Sequence, residues 1–337
     1  MDMTRIFILA LAAATAGTAH AQDLTAVTFG TNWLPQAEHG GYYQSVADGT
    51  YAACGLDVTI APGGPQVNNR ALLLAGRIQF HMGGNLLQAF NAAEQGIPLK
   101  VVAAHFQKEP QVLMTHPDQG LDTWDSLKTI DLLIGENGFQ SYYQWMISEY
   151  GFSADQRKPY TFNPAPFLAN PRSGQQGYVT SEPYAIETQG GFKPVIFLLA
   201  DYGFDTYATT VEVMAKTAEE SPEMVQCFVD GSAIGWYNYL YGDRSAADAL
   251  ILEANPEMTQ AQLDYSVDKM KEYGIVDSGD ALELGIGAMT DERFASFYDK
   301  MVAAGVAPKG IDVKSIYTLE FVDKGVGLDV KKALTGE

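Results

Sequence analysis

The stretch Gly30–Tyr51, GTNWLPQAEHGGYYQSVADGTY, decides how the rest of the chain is interpreted. It follows a short alternating segment, Ala26–Gly30, that predicts a β-strand, and it leads into a predicted helix from about Ala37. Asn32 and Trp33 therefore lie at the carboxyl end of a strand, where open α/β sheets bind ligands. The indole offers a flat apolar face, and the amide offers both a donor and an acceptor. This chemistry suits a flat, uncharged heteroaromatic ligand, although a core tryptophan and a turn asparagine would explain the same residues.

The first 21 residues have the features of a secretory signal. Arg5 precedes an apolar run, Ile6–Gly17, and Ala19-His20-Ala21 matches a cleavage site of the A-x-A type. We expect cleavage near Ala21 and a mature, exported chain that begins near Gln22. The apolar run is shorter than the ~20 residues of a membrane-spanning helix, and no later segment approaches that length.

The net charge of the chain limits the classes of partner that we expect. The net charge of −20 is spread along the 337 residues, so nucleic acid and anionic membranes are poor partners and neutral or cationic ligands are favoured.

Cys54 and Cys227 are far apart in sequence, and each lies in a predicted helix. An oxidising compartment would permit a bridge, and spacing alone does not settle the pairing. We expect two buried free thiols.

Strands and helices alternate through the first 200 residues. The predicted strands are Ala26–Gly30, Leu56–Ala61, Gln79–Met82, Leu99–Ala104, Gln111–Thr115, Ile130–Ile134, Tyr160–Phe162, Gly177–Ser181, Val195–Leu199 and Thr209–Ala215. Their spacing predicts right-handed crossovers and two doubly wound α/β lobes, followed by mostly helical periodicity from Ser221. We expect residues 22–108 to begin lobe 1, 109–203 to form lobe 2, and 204–337 to return to lobe 1 and add the C-terminal helices. Two such lobes close around a ligand.

Five segments resemble one known family. They are Asn32–Ser45 (NWLPQAEHGGYYQS), Gly55–Gly64 (GLDVTIAPGG), Leu72–Gly84 (LLLAGRIQFHMGG), Gly96–Ala104 (GIPLKVVAA) and Gln175–Glu187 (QQGYVTSEPYAIE). They are similar to periplasmic substrate-binding proteins of ABC importers, in the NMT1/THI5-like branch that handles thiamine pyrimidine precursors and riboflavin. The resemblance implies a two-lobed periplasmic binding protein of type II, a periplasmic location, a permease of the inner membrane as partner, and a monomer that needs no cofactor.

The resemblance also implies the ligand class. A thiamine-type aminopyrimidine is our first expectation and riboflavin our second, with aliphatic sulfonate or nitrate as a rival class of anion. A sulfonate would require basic residues in the cleft. The nearest are Arg70, Arg77 and Lys108, of which Arg70 and Arg77 are interpreted as helix-surface groups. The same branch contains enzymes that synthesise the pyrimidine precursor. Those enzymes carry a cysteine-rich iron motif, which two lone cysteines do not supply.

We expect ligand-binding residues at strand ends and helix starts of both lobes. They are Asn32, Trp33, His39, Tyr42, Gly84, Asn85, Gln107, Gln140, Tyr142, Glu182, Tyr184 and Tyr202. Trp33 and a tyrosine, with Tyr42 preferred over Tyr43, would stack on the ring, and Asn32 and Glu182 would bind its polar edge. Gly84 and Asn85 would offer free backbone N–H groups at a helix start. Each residue also has a purely structural explanation, as a core, capping or surface group.

The sequence contains none of the common catalytic or metal-binding motifs. The histidines follow no H-x-x-H or H-E-x-x-H spacing, and there is no G-x-S-x-G elbow, Walker-type loop or G-x-G-x-x-G. We therefore expect a binding protein without catalytic residues, bound metal or cofactor.

Overall fold

The computed structural model describes residues 24–64 and 67–336, so the predicted signal segment lies outside the described residues. Ten strands occur in these ranges. They are β1 (Thr25–Gly30), β2 (Leu56–Ala61), β3 (Phe80–Asn85), β4 (Leu99–Phe106), β5 (Gln111–Thr115), β6 (Asp131–Ile134), β7 (Arg157–Pro159), β8 (Ser173–Tyr178), β9 (Val195–Leu198) and β10 (Ala208–Met214).

Fifteen α-helices occupy the same described ranges. They are α1 (Gly40–Ala47), α2 (Thr50–Ala53), α3 (Asn69–Leu74), α4 (Leu86–Glu94), α5 (Glu136–Phe139), α6 (Tyr142–Tyr150), α7 (Ala165–Ala169), α8 (Glu182–Gly190), α9 (Ala215–Glu220), α10 (Pro222–Tyr241), α11 (Ser245–Ala254), α12 (Gln260–Glu272), α13 (Ala281–Leu284), α14 (Asp291–Ala303) and α15 (Leu328–Thr335). Short 3₁₀ turns cover Ala37–His39, Trp124–Thr129, Ala154–Gln156, Leu199–Tyr202 and Val313–Ser315.

The strands form two separate five-stranded sheets, one in each lobe. The order is β2-β1-β3-β10-β4 in lobe 1 and β7-β6-β8-β5-β9 in lobe 2. Strand β10 is antiparallel to β3 and β4, and β5 is antiparallel to β8 and β9. The chain crosses between the sheets after β4 and returns before β10. The expected α/β architecture of two lobes is confirmed.

The long helix α10 forms the centre of the lobe 1 core. Phe228 on this helix stacks on Phe80 of β3, with ring centroids 4.0 Å apart. Helix α1 packs against α10 through two glycines. A Cβ on Gly41 would lie 2.3 Å from the ring of Trp236, and one on Gly40 would lie 2.0 Å from the ring of Tyr239. The glycine pair is therefore explained by the close approach of two helices.

The expectation of free thiols is wrong. Cys54, directly after α2, forms a disulfide with Cys227 of α10, with a Cα–Cα distance of 5.8 Å. The two cysteines are 173 residues apart in sequence, but α10 packs beside α2 and brings them together. A bridge of this kind suits an exported protein, because oxidising compartments preserve disulfides.

Several local boundaries differ from the sequence-based expectations, and three of the differences affect candidate ligand-binding residues or their neighbours. Strand β3 continues through both glycines to Asn85, because Gly83 and Asn85 pair with β10. The strand expected at Tyr160–Phe162 ends earlier, as β7, and leaves Phe162 in a loop. Glu182 is the first residue of α8 and does not end a strand. Within the described ranges, no helix combines the length and the apolar composition needed to cross a membrane.

Candidate functional site

Two aromatic side chains face each other from opposite lobes. Trp33 follows β1 and Phe162 follows β7, and their ring centroids are 5.1 Å apart at an angle of 49°. Phe162 remains 53% exposed. Its φ angle of 63° lies in the left-handed region, which bulky residues rarely adopt and which is found preferentially at functional sites. The backbone strain therefore marks the Phe162 loop as a candidate part of a binding site.

Three glutamate side chains lie close together where the lobes meet, and they come from three separate segments. Glu38 lies in the 3₁₀ turn before α1, Glu109 lies in the first crossing between the lobes, and Glu182 begins α8. Glu38 and Glu109 are 4% and 2% exposed, and Glu182 is half-buried. We call these three residues the carboxyl cluster. No lysine, arginine or histidine in the described part of the chain forms an ion pair with any of them.

The partners of the carboxyl cluster are neutral groups. Glu38 accepts a hydrogen bond from the buried hydroxyl of Thr180, which belongs to lobe 2. Glu182 accepts from the backbone N–H of Tyr178 at 2.7 Å. Glu109 Oε2 is buried and has no hydrogen-bond partner among the described residues. The contact between Glu38 and Thr180 joins the two lobes directly.

Burial raises the pKa of each glutamate in the carboxyl cluster. It raises the pKa of Glu109 to about 8, although hydrogen bonds from Asn85, the Gln111 backbone and Tyr178 act in the opposite direction. Burial also raises the pKa of Glu182 to about 7, with a smaller contribution from Glu38. The pKa of Glu38 is raised for the same reason.

Tyr178 lies among all three carboxyls. Burial raises the pKa of its phenol well above the ordinary range, and Glu109, Glu38 and Glu182 raise it further. The same is true of Tyr142, whose pKa is raised by burial and then by Glu109 and Glu182. The Tyr142 hydroxyl donates to Gln176 Oε1 at 3.0 Å. The site therefore combines carboxyl and phenol groups, and no described lysine, arginine or histidine forms an ion pair with its carboxyls.

The structure places four of the predicted residues at this site. They are Trp33, Asn85, Tyr142 and Glu182. Trp33 contacts Phe162 across the lobes. Glu182 belongs to the carboxyl cluster, and Asn85 and Tyr142 interact with Glu109 of that cluster. The Asn85 side chain also accepts from the N–H of Leu87 at 3.2 Å, which caps α4. Asn32, the predicted partner of the ring edge, is exposed.

Other predicted residues are held in structural contacts. Tyr42 is fully buried in the lobe 1 core, with its ring 4.4 Å from Phe29 and its hydroxyl 2.8 Å from His105 Nδ1. The prediction that Tyr42 stacks on a ligand therefore does not fit, because the ring already packs on α10. His39 is buried beside Glu38, and burial lowers its pKa to about 3. The N–H of Gly84 is not free, because it donates to Gln88 Oε1 at 3.0 Å.

The last four predicted residues make other contacts in the first crossing between the sheets or in lobe 2. Gln107 donates to the carbonyls of Ala104 and Ala288. Tyr202 stacks on Trp124 at 4.0 Å. Gln140 is exposed and donates to Glu136, and Tyr184 packs on Tyr265 of α12 at 5.4 Å.

Sequence analysis missed Phe162, Glu38, Glu109, Tyr178 and Thr180. A signal existed for two of them, because Glu38 lies inside the Asn32–Ser45 motif and Glu109 follows the end of a predicted strand.

Arg70 also differs from its interpretation as a surface group. Its guanidinium binds Glu212, which in turn contacts His81 Nδ1 at 3.0 Å, so its charge is neutralised inside lobe 1. Among the described residues, no group of three or more potential ligands is placed to hold a metal ion.

Comparisons with known proteins agree with the two-lobed architecture. The family model described as "NMT1/THI5 like" matches residues 36–247. The riboflavin-binding protein RibY of Chloroflexus aurantiacus is 26% identical over 315 residues, which cover 90% of this chain and 87% of that protein. The periplasmic aliphatic sulphonate binding protein SsuA from Escherichia coli has a TM-score of 0.61 at 14% identity, covering 86% of this chain and 91% of its own. The desulfurization enzyme DSZB has a TM-score of 0.59 at 10% identity, covering 90% and 99%. The chain therefore has the fold of periplasmic binding proteins.

Proposed function

Because the chain belongs to the NMT1/THI5-like family, we propose that it is the periplasmic substrate-binding component of an ABC importer. Its ligand is a planar nitrogen heterocycle held between the lobes, and a thiamine-type aminopyrimidine is the first candidate. Its macromolecular partner is the permease of that importer, to which a monomer delivers the ligand unchanged.

The observation that carries this proposal is the pairing of aromatic faces with hydrogen-bond acceptors at the junction of the lobes. Trp33 and Phe162 present rings from opposite lobes, and aromatic stacking contributes about 0.5–1.5 kcal/mol beyond the area that it buries. Glu109 Oε2 is buried without a partner. Leaving such an acceptor unsatisfied costs about 1–3 kcal/mol, so a ligand that donates an N–H to it gains both affinity and specificity.

Riboflavin is the second candidate. The likeness to RibY, over 90% of this chain, favours it, and a flavin ring would stack on the same aromatic pair. The isoalloxazine ring, however, offers a single N–H donor, whereas the carboxyl cluster offers several acceptors. An aminopyrimidine, with its exocyclic amine beside a ring nitrogen, uses more of them.

A sulfonate fits the site poorly. The carboxyl cluster has neutral partners, and two cations that could balance an anion are already paired, Arg70 with Glu212 and Lys108 with Asp201. The likeness to SsuA extends to the fold, at 14% identity. A catalytic role, suggested by the shared fold of DSZB, predicts turnover of the bound heterocycle.

A thermal-shift screen of the chain from Gln22 onward tests the proposal, because a ligand that binds only the folded state raises its melting temperature. The panel contains hydroxymethyl- and formylaminopyrimidine, thiamine, riboflavin, nucleobases and alkyl sulfonates. We expect the largest shift with an aminopyrimidine, and recovery of that compound unchanged by mass spectrometry. A shift with riboflavin alone selects the second candidate. A shift confined to sulfonates, or chemical conversion of the ligand, contradicts the proposal.

A further inference from the structure

The carboxyl cluster has a consequence for the charge of the ligand. We propose that the site binds its heterocycle as a cation, protonated on the ring nitrogen, and that Glu109 is the specificity-determining residue that supplies the counter-charge. This inference rests on the proposed function and names the charge state of its ligand.

The position of Glu109 is the first observation. The residue lies between β4 and β5, in the segment that crosses from lobe 1 to lobe 2, and is 2% exposed. Its Oε2 atom has no hydrogen-bond partner among the described residues. A buried carboxyl oxygen without a partner is rare, because desolvation of the group is then uncompensated. A ligand donor placed against Oε2 would remove this cost.

The surroundings of Glu109 are the second observation. The ionisable groups that interact with it or with its neighbours are Glu38, Glu182, Tyr178 and Tyr142, and each of them is either neutral or negative. A neutral ligand would leave three carboxyls close together without any positive charge. A cation beside Glu109 would stabilise the carboxylate form of that residue, while burial favours the neutral forms of the other two.

The geometry of the junction gives the shape of that cation. Trp33 and Phe162 provide ring faces, and such faces attract both flat rings and positive charge. A 4-aminopyrimidine that gains a proton on a ring nitrogen becomes a planar amidinium-like cation. The donors of such a cation suit carboxylate oxygens, and hydrogen bonds between two charged groups are the stronger kind.

The proton for this cation is already in the site. Burial raises the pKa of Glu109 to about 8, so the empty site holds the carboxyl in its acid form at neutral pH. When a neutral aminopyrimidine enters, the carboxyl proton moves to the ring nitrogen, and the products are a carboxylate and a ring cation. The transfer is balanced within the complex and needs no further reactant.

Nuclear magnetic resonance of a labelled probe tests this proposal directly. The probe is 4-amino-5-hydroxymethyl-2-methylpyrimidine with ¹⁵N in the ring, added to the mature protein at pH 8, where the free probe is neutral. We expect the bound ring nitrogen to show the chemical shift of the protonated form. In a Glu109→Gln variant, we expect the neutral form and an affinity at least tenfold weaker. Glu219→Gln, at an exposed position on α9, is the matched control and should behave as wild type.

The outcomes separate the two proposals. A neutral bound probe in the wild-type protein overturns the inference and leaves the proposed function intact. If wild type and Glu109→Gln bind riboflavin with equal affinity, the inference is likewise overturned and the proposed function is left intact. If no heterocycle binds, the proposed function fails and this inference fails with it. Should Glu109→Gln not fold, the spectrum of the wild-type complex still decides.

Discussion

The contact between Glu38 and Thr180 predicts that the Thr180 hydroxyl contributes to closure of the lobes. Thr180 is fully buried, and its hydroxyl donates to the Glu38 carboxyl across the junction. Replacing Thr180 with valine keeps the volume and removes the donor. An unsatisfied buried acceptor costs about 1–3 kcal/mol, and the cost falls on the closed state because the open state exposes Glu38 to water. Ligand affinity should therefore fall about 5- to 150-fold.

Isothermal titration with the heterocycle that gives the largest thermal shift measures this loss. The matched control is Thr188→Val, since Thr188 is exposed on α8 and its hydroxyl donates to a carbonyl within the same helix. Small-angle scattering of the liganded proteins should show a larger radius of gyration for Thr180→Val alone. Unchanged affinity together with unchanged scattering would refute the assignment of this hydrogen bond to lobe closure.

Three further predictions concern separate parts of the molecule. The Cys54–Cys227 disulfide closes a loop with a sequence separation of 173, and the loop entropy that it removes from the unfolded chain stabilises the protein by about 5 kcal/mol. A variant with both cysteines changed to alanine should lose up to that amount of unfolding free energy, measured with urea. Reduced wild type should show the same loss. Phe162→Gly should weaken heterocycle binding and relieve the strained φ angle, because glycine has no Cβ, whereas Leu282→Ala, at an equally exposed site, should leave binding unchanged. The pKa of Glu109 is raised from 4.5 to about 8, so between these pH values the folded state binds a proton that the unfolded state does not. The stability of the wild type therefore falls as pH rises through this range. In thermal unfolding, ligand-free Glu109→Gln should become more stable relative to wild type from pH 5 to pH 8.

The two-lobed architecture was predictable because it depends on local periodicity. Strand-length apolar runs separated by helical patterns appear in the sequence itself, and their chain order dictates crossovers and two sheets. The position of Trp33 beyond β1 was predictable for the same reason. These features are set by residues that are close in sequence.

Features that depend on distant contacts were not predictable. The choice between Tyr42 and Tyr43 depends on where α10 packs, nearly two hundred residues further along the chain. The close approach of α1 to α10, which Gly40 and Gly41 permit, also depends on this distant contact with Trp236 and its helix. The three residues of the carboxyl cluster come from three separate segments, and their spacing in the sequence does not indicate that they lie close together. Sequence patterns thus located the strand ends but did not show which side chains converge there.

The anchoring of the first crossing places Glu109 at the pivot between the lobes. On one side of it, Gln107 donates to two backbone carbonyls of lobe 1 and the C-terminal region, and the N–H of Lys108 donates to the carbonyl of Ile275 at 3.1 Å. On the other side, the carbonyl of Pro110 accepts from Val179 of lobe 2 at 2.9 Å. Glu109 is the residue between these two anchors, so rotation of one lobe against the other changes the position of its carboxyl relative to both. A ligand charge that binds Glu109 therefore favours one hinge angle over the others, because binding energy that differs between two conformations shifts their populations.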